Sequence, residues 1–158
     1  MLRIGGPLVA FALLAGPALA QNRTEQLRAR WEQETDAVHK AKIMAQLGDA
    51  EFQDISREAA AEDFPAALVG FQQYRDEARR SVEALDAKSL NAEKHPAGFK
   101  QLQISVRESL RRINELIAGL TADQQEPFLV VRKDLEELNR RLIHELFPGL
   151  PAGDAPPG

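Results

Sequence analysis

The chain has 158 residues, 28% of them charged, with 20 basic against 24 acidic side chains and a formal net charge of −4. That length suits one small domain behind a leader and leaves no room for a two-domain enzyme. The acidic balance argues against a dedicated nucleic-acid binder. The absence of cysteine excludes a disulfide, a thiolate metal site, a cysteine nucleophile and a lipidated-cysteine anchor.

Residues 1–20 carry one charge, Arg3, ahead of an uncharged stretch from Ile4 to Ala20 whose apolar centre is Leu8 to Ala15. Gly16-Pro17 is expected to break a helix there. Ala18-Leu19-Ala20 supplies the small-x-small pattern of a signal-peptidase site, so cleavage is expected after Ala20, read through Ala18 and Ala20. A membrane anchor is the competing reading, but three glycines and two prolines between Ile4 and Ala20 make a poor spanning helix. The expected organisation is a signal peptide over residues 1–20, a helical domain over 21–147 and a disordered Pro/Gly-rich tail over 148–158. The expected location is periplasmic or secreted, without stable membrane insertion after cleavage.

The remainder is rich in Ala, Leu, Glu, Arg and Gln and has no sustained apolar-polar alternation, which favours helices throughout. Four segments are expected. The first covers 24–61, with or without a break, and its apolar face runs Leu27, Trp31, Val38, Ala41, Ala45, Gly48, Phe52, Ile55 and Ala59. Trp31 is expected to anchor this end of the chain. The second begins at Asp63 as N-cap with Pro65 in its first turn, and carries Phe64, Ala67, Phe71, Tyr74, Ala78, Val82 and Leu85. A polar connection follows, ending at His95-Pro96, where His95 is discouraged from helix.

The third segment covers 97–118 with the stripe Phe99, Leu102, Val106, Leu110, Ile113 and Ile117, and Gly119 is placed to close it as a left-handed cap. Thr121 and Gln124 then read as a capping box. Pro127 is expected to restart or kink the fourth segment, which carries Phe128, Val131, Leu135, Leu138, Leu142 and Leu146. Stripes recurring nearer 3.5 than 3.6 residues favour near-antiparallel packing. The expected fold is all-α, an antiparallel bundle of about four long helices. Glu108–Arg112, Glu136–Arg140, Glu137–Arg141 and Asp76–Arg80 are expected as i,i+4 ion pairs.

Recognisable chemistry is sparse. His39, His95 and His144 are far apart in sequence, and a single Asp36-x-x-His39 does not supply the paired Glu-x-x-His motifs of a di-iron bundle. Glu51, Asp54, Glu58 and Glu62 line one helix face and read as a solvated acidic stripe rather than a cation site. Arg75, Arg79, Arg80, Arg111, Arg112, Arg140 and Arg141 form short basic clusters with acids one turn away. Neither a nucleophile elbow nor a phosphate loop is present. No catalytic residue, cofactor or metal is expected, and no nucleic-acid partner.

Leu47-Gly48-Asp49-Ala50-x-Phe52, followed by Asp63-Phe64-x-x-Ala67-Leu68-x-x-Phe71-x-x-Tyr74, resembles the two halves of a tetratricopeptide repeat. That resemblance implies two nested antiparallel helices and, where copies stack, a groove for partner peptides. Gly48 to Asp63 is longer than in the family, and there is no second copy. Leu120-Thr121-x-x-Gln124 resembles the LTxxQ signature of Spy/CpxP-type periplasmic chaperones, which carry it twice. The chain as a whole resembles uncharacterised exported helical proteins of bacteria. The expected function is that of an exported, non-catalytic adaptor or scaffold binding another protein or a second copy of itself. The alternative is a periplasmic chaperone or envelope-stress protein.

Overall fold

The computed structural model describes residues 16–150, with side chains from Asn22 onward, and over that range the chain is all-helical. Five helices follow one another: α1 Gly16–Gln33, α2 Ala37–Ala60, α3 Phe64–Ala87, α4 Pro96–Ala118 and α5 Ala122–Leu146. The leader's apolar centre, Leu8 to Ala15, and residues 151–158 of the tail lie outside the described residues. α1 begins at Gly16-Pro17, so Ala18 and Ala20 fall in its first turns, and the leader segment that this pair was expected to end lies outside the described residues.

The segment 24–61 is two helices. Asp36 stops the first and starts the second: its carboxylate accepts the His39 N–H at 2.7 Å, while Glu34 Oε1 accepts the Asp36 N–H at 2.8 Å. Each bond satisfies a donor that the helix itself leaves open. The N-cap expected at Asp63 is present, accepting from the Ala66 N–H at 3.2 Å. His95 sits outside the helix at φ −129°, and Pro96 begins α4.

Gly119 is not left-handed; its φ is −93°. The Gly119 N–H donates to Leu116 O and the Leu120 N–H to Ile117 O, and Gln125 Nε2 of the next helix adds bonds to Ile117 O at 3.1 Å and to Leu120 O at 3.0 Å. The left-handed positions are Glu62 (φ 59°) and Ser89 (φ 51°). At the end of α2, Asp63 N–H reaches back to Glu58 O and Glu62 N–H to Ala59 O, a Schellman closure with a glutamate where glycine is usual. Thr121 and Gln124 form the expected capping box, with Gln124 Oε1 accepting the Thr121 N–H at 3.0 Å. Pro127 neither restarts nor divides α5, which runs unbroken through it. The carbonyl it leaves without a donor belongs to Asp123, on the exposed first turn, where water serves equally well.

α2 packs against α1, α3 and α4, and α5 closes against α3 and α4. Consequently α2 buries more than the expected stripe: Ile43, Met44, Leu47 and Ala50 are inside as well. The tightest approach is at Gly48. A Cβ there would lie 2.8 Å from Tyr74 Cε2 and 3.0 Å from Ser105 Oγ, so α2 meets α3 and α4 almost backbone to ring. Tyr74 is fully buried, stacks at a tilt on Phe52 (centroids 4.8 Å apart) and shares a 2.8 Å hydrogen bond with Ser105.

Surface ion pairs form both within helices and between them. Glu108–Arg112 forms as expected at 2.8 Å, but Arg80 turns to Glu32, Arg141 to Asp86, and Glu136 to Arg132. Arg75 bridges α3 to Asp134 of α5 at 3.0 Å.

Two substitutions test this packing. Gly48→Ala adds helix propensity yet drives a methyl into a rigid buried ring, and is expected to cost about 1–3 kcal/mol in denaturant unfolding. Glu62→Gly relieves a left-handed glutamate and is expected to stabilise the chain by about 1 kcal/mol, read as a higher Tm.

Candidate functional site

Three charged side chains sit where apolar ones are expected. Arg28 falls one turn before Trp31 on α1, Glu51 three residues after Gly48 on α2, and Glu77 three after Tyr74 on α3. The helical spacing places each on its helix's packed face, and the three meet. Arg28 Nη2 donates to Glu51 Oε1 at 2.8 Å and Arg28 Nε to Glu77 Oε1 at 2.9 Å. Gln73 Nε2 also reaches Glu77 Oε1, at 3.3 Å. Glu51 and Glu77 are each 4% exposed.

One guanidinium cannot balance two buried carboxylates. Neither Glu51 Oε2 nor Glu77 Oε2 meets a donor from the rest of the protein. Burial and the adjoining Glu77 carboxyl push Glu51 up to about 9, against the opposing pull of Arg28. Glu51 therefore keeps its proton at neutral pH, beside a second buried acid on the same guanidinium. Burial by itself would lower Arg28, but its bonds to Glu77 and Glu51 prevail and raise it, so it stays charged throughout.

Trp31 completes the seat of α1. It is fully buried, its Nε1–H donates to Ser81 Oγ at 2.9 Å, and Ser81 passes its own hydrogen to Glu77 O at 3.0 Å. Lys40 Nζ and the Arg80 guanidinium each lie 4.6 Å from the indole centroid. The anchoring role expected of Trp31 is the one it has.

Above the charge cluster runs a groove of about 620 Å³. α1 forms one wall with Thr24, Glu25 and Arg28; α2 forms the floor with Glu51, Asp54, Ile55 and Glu58; α3 forms the far wall with Ala66, Val69 and Gly70. Gly70 lets the walls close in, since a Cβ there would stand 2.6 Å from Ile55 Cγ1. Val69 is 59% exposed. Glu58 is raised by burial and by the charges of Asp54 and Asp63, and its Oε2 has no donor. Thr24 Oγ1 donates to Asp54 Oδ2 at 2.7 Å, and Arg57 also pairs with Asp54.

The acidic stripe expected to be solvated is thus divided. Glu62 is exposed in the turn after α2, Asp54 and Glu58 edge the groove, and Glu51 is interior. The spacing was right and the solvation of Glu51 was not, because α1 and α3 cover that face together. Arg28 and Glu77 are the residues that sequence reasoning missed. The available signal was charge at stripe positions on three successive helices.

The histidines do not meet. His39 Nδ1 lies 2.8 Å from Glu34 Oε2 at the start of α2, His95 precedes α4 and His144 lies in the last turn of α5. No group of His, Asp and Glu among the described residues has the arrangement of a metal site. The basic clusters are spent on neighbouring acids: Arg75 and Arg79 on Asp134, and Arg111 and Arg112 on Glu108. Among the described residues, no helix is long and apolar enough to cross a membrane. Compared with known proteins, the chain matches no family model, no curated protein and no solved structure.

The charge cluster makes two quantitative statements. Arg28→Met leaves the buried acids without their cation and is expected to cost about 3 kcal/mol of stability at neutral pH. Glu51, raised in the folded chain from 4.5 to about 9, contributes stability that is complete below the lower value and lost as pH climbs to the upper one. Glu51→Gln keeps the hydrogen-bonding shape without the ionisation. It is expected to be more stable than the parent at pH 8, with the gap widening up to pH 9 by at most about 1.4 kcal/mol per unit.

Proposed function

We propose that this is an exported, non-catalytic adaptor in which α2–α5 form an antiparallel bundle, α1 is laid across it, and the groove between α1, α2 and α3 docks a partner protein. The carrying observation is the groove itself, acidic on its floor and apolar on its α3 wall. Glu25, Asp54 and Glu58 outnumber Arg28 and Arg57 along it, and Val69 stands exposed at its rim. That combination fits a segment bearing basic side chains with an aliphatic contact. The chain's net charge of −4 favours the same partner at long range. Export is supported by residues 1–20, with Ala18 and Ala20 as the peptidase-recognised pair.

The nested approach of α2 and α3 at Gly48 and Tyr74 is where the tetratricopeptide-like reading has its support. The LTxxQ-like Thr121 and Gln124 are engaged in the α5 cap. A chaperone of the Spy/CpxP type is the alternative that the same experiment addresses.

A photo-crosslinking residue at Val69, in cells expressing the full chain, is expected to capture one partner through a Lys- or Arg-bearing segment. Glu25→Lys should abolish that capture, while the same crosslinker at Val130, the exposed valine on α5, should miss the partner. Equal capture from both positions, or an acidic captured segment, would overturn the proposal. Many unrelated clients would favour the chaperone.

A further inference from the structure

We propose that the proton held at Glu51, beside Glu77 and Arg28, is a latch: it holds α1 on α2 and α3, and its loss frees α1 while the rest of the fold stays in place.

The geometry places both acids on the one guanidinium of Arg28 at the junction of three helices, and leaves Oε2 of each buried without a donor. α1 is the element that can respond. It joins α2 through three residues, 34–36, and its backbone approaches only α2 closely, whereas α3 is reached through the side chains of Arg28, Trp31 and, at the surface, Glu32. When the proton leaves for water, two buried carboxylates face one guanidinium. The excess charge is relieved when α1 withdraws and water enters. α2 and α3 have no such exit, because each is also held by other helices.

Other groups around the cluster do not substitute for it. On α1, Glu25 pairs with Arg28 from the outside. On α2, Asp54 is engaged by Thr24 and Arg57, and Asp49 is exposed. On α3, burial holds the Tyr74 phenol far above its usual range, and α4 presents Ser105 and Ser109 there, which carry no charge. Near Trp31, burial and the neighbouring Arg80 lower Lys40, with Glu32 and Glu34 opposing, so Lys40 is the one group whose titration could be mistaken for the latch.

Because Thr24, Glu25 and Arg28 are one wall of the groove, release of α1 dismantles it. As regulation of partner docking, this rests on the function proposed above. The latch itself does not, and its test needs no partner.

Trp31 is the only tryptophan and rides on α1, so it reports the release directly. Acrylamide quenching of Trp31 in the full chain, followed from pH 6 to 10.5 beside far-UV circular dichroism, is expected to rise several-fold with its midpoint below about 9, where the loss of stability is complete. The helical signal should fall by no more than the share of α1. Glu51→Gln is expected to hold quenching low across the range. Glu77→Gln, which removes the second carboxyl instead, should do the same, and Lys40→Met should keep the parental midpoint. A parental chain that shows no rise, a rise that persists in both glutamine variants, a rise that vanishes in Lys40→Met, or loss of the whole helical signal at the same pH would each overturn the latch.

Discussion

A helix that touches three others has little surface on which to keep a polar side chain wet, and α2 is the most heavily packed of the helices in that position. α1, α3 and α4 all pack on it, so its apolar arc widens from a single stripe to include Ile43, Met44, Leu47 and Ala50. Gly48 is where the demand is greatest, because Tyr74 and Ser105 arrive from two different helices at the same point. A larger residue would separate α2 from both. The positions of α3 and α4, and through them the site of α5, depend on that one close approach.

The same crowding explains the buried acids. Glu51 occupies an α2 position that α1 and α3 jointly cover, and Glu77 faces it from α3. Burying two carboxyls costs more than one arginine returns, and the difference is met by retaining a proton. An apolar trio of similar size would pack with less penalty. What the polar trio adds is orientation: Arg28 and Trp31, one turn apart on α1, can meet Glu77 and Ser81, one turn apart on α3, in a single register.

The groove follows from how α1 is held. Its seat is narrow, made by Leu27, Arg28 and Trp31, and the outer part of the α2–α3 seam is left open beside it. Val69 and the acids of α2 line that opening because no sixth helix among the described residues covers them. Elsewhere the surface charges neutralise one another across helix boundaries, as Arg75 does with Asp134 and Arg141 with Asp86.

The sequence by itself determined that the chain is helical, which residues form most of each stripe, and where Asp63, Pro96 and Thr121 begin their helices. These are local matters of period, capping and proline geometry. Only the tertiary structure decided which charges are interior. Arg28, Glu51 and Glu77 look like ordinary helix-face residues until three helices converge on them. The left-handed turn residues were also decided by context: Gly119 closes α4 without a left-handed φ, its turn reinforced by Gln125, a side chain of the next helix, while Glu62 was drafted into that conformation by the closure of α2. Burial is a property of neighbours distant in sequence, and it converted a stripe position with a charge on it from a surface residue into the seat of α1.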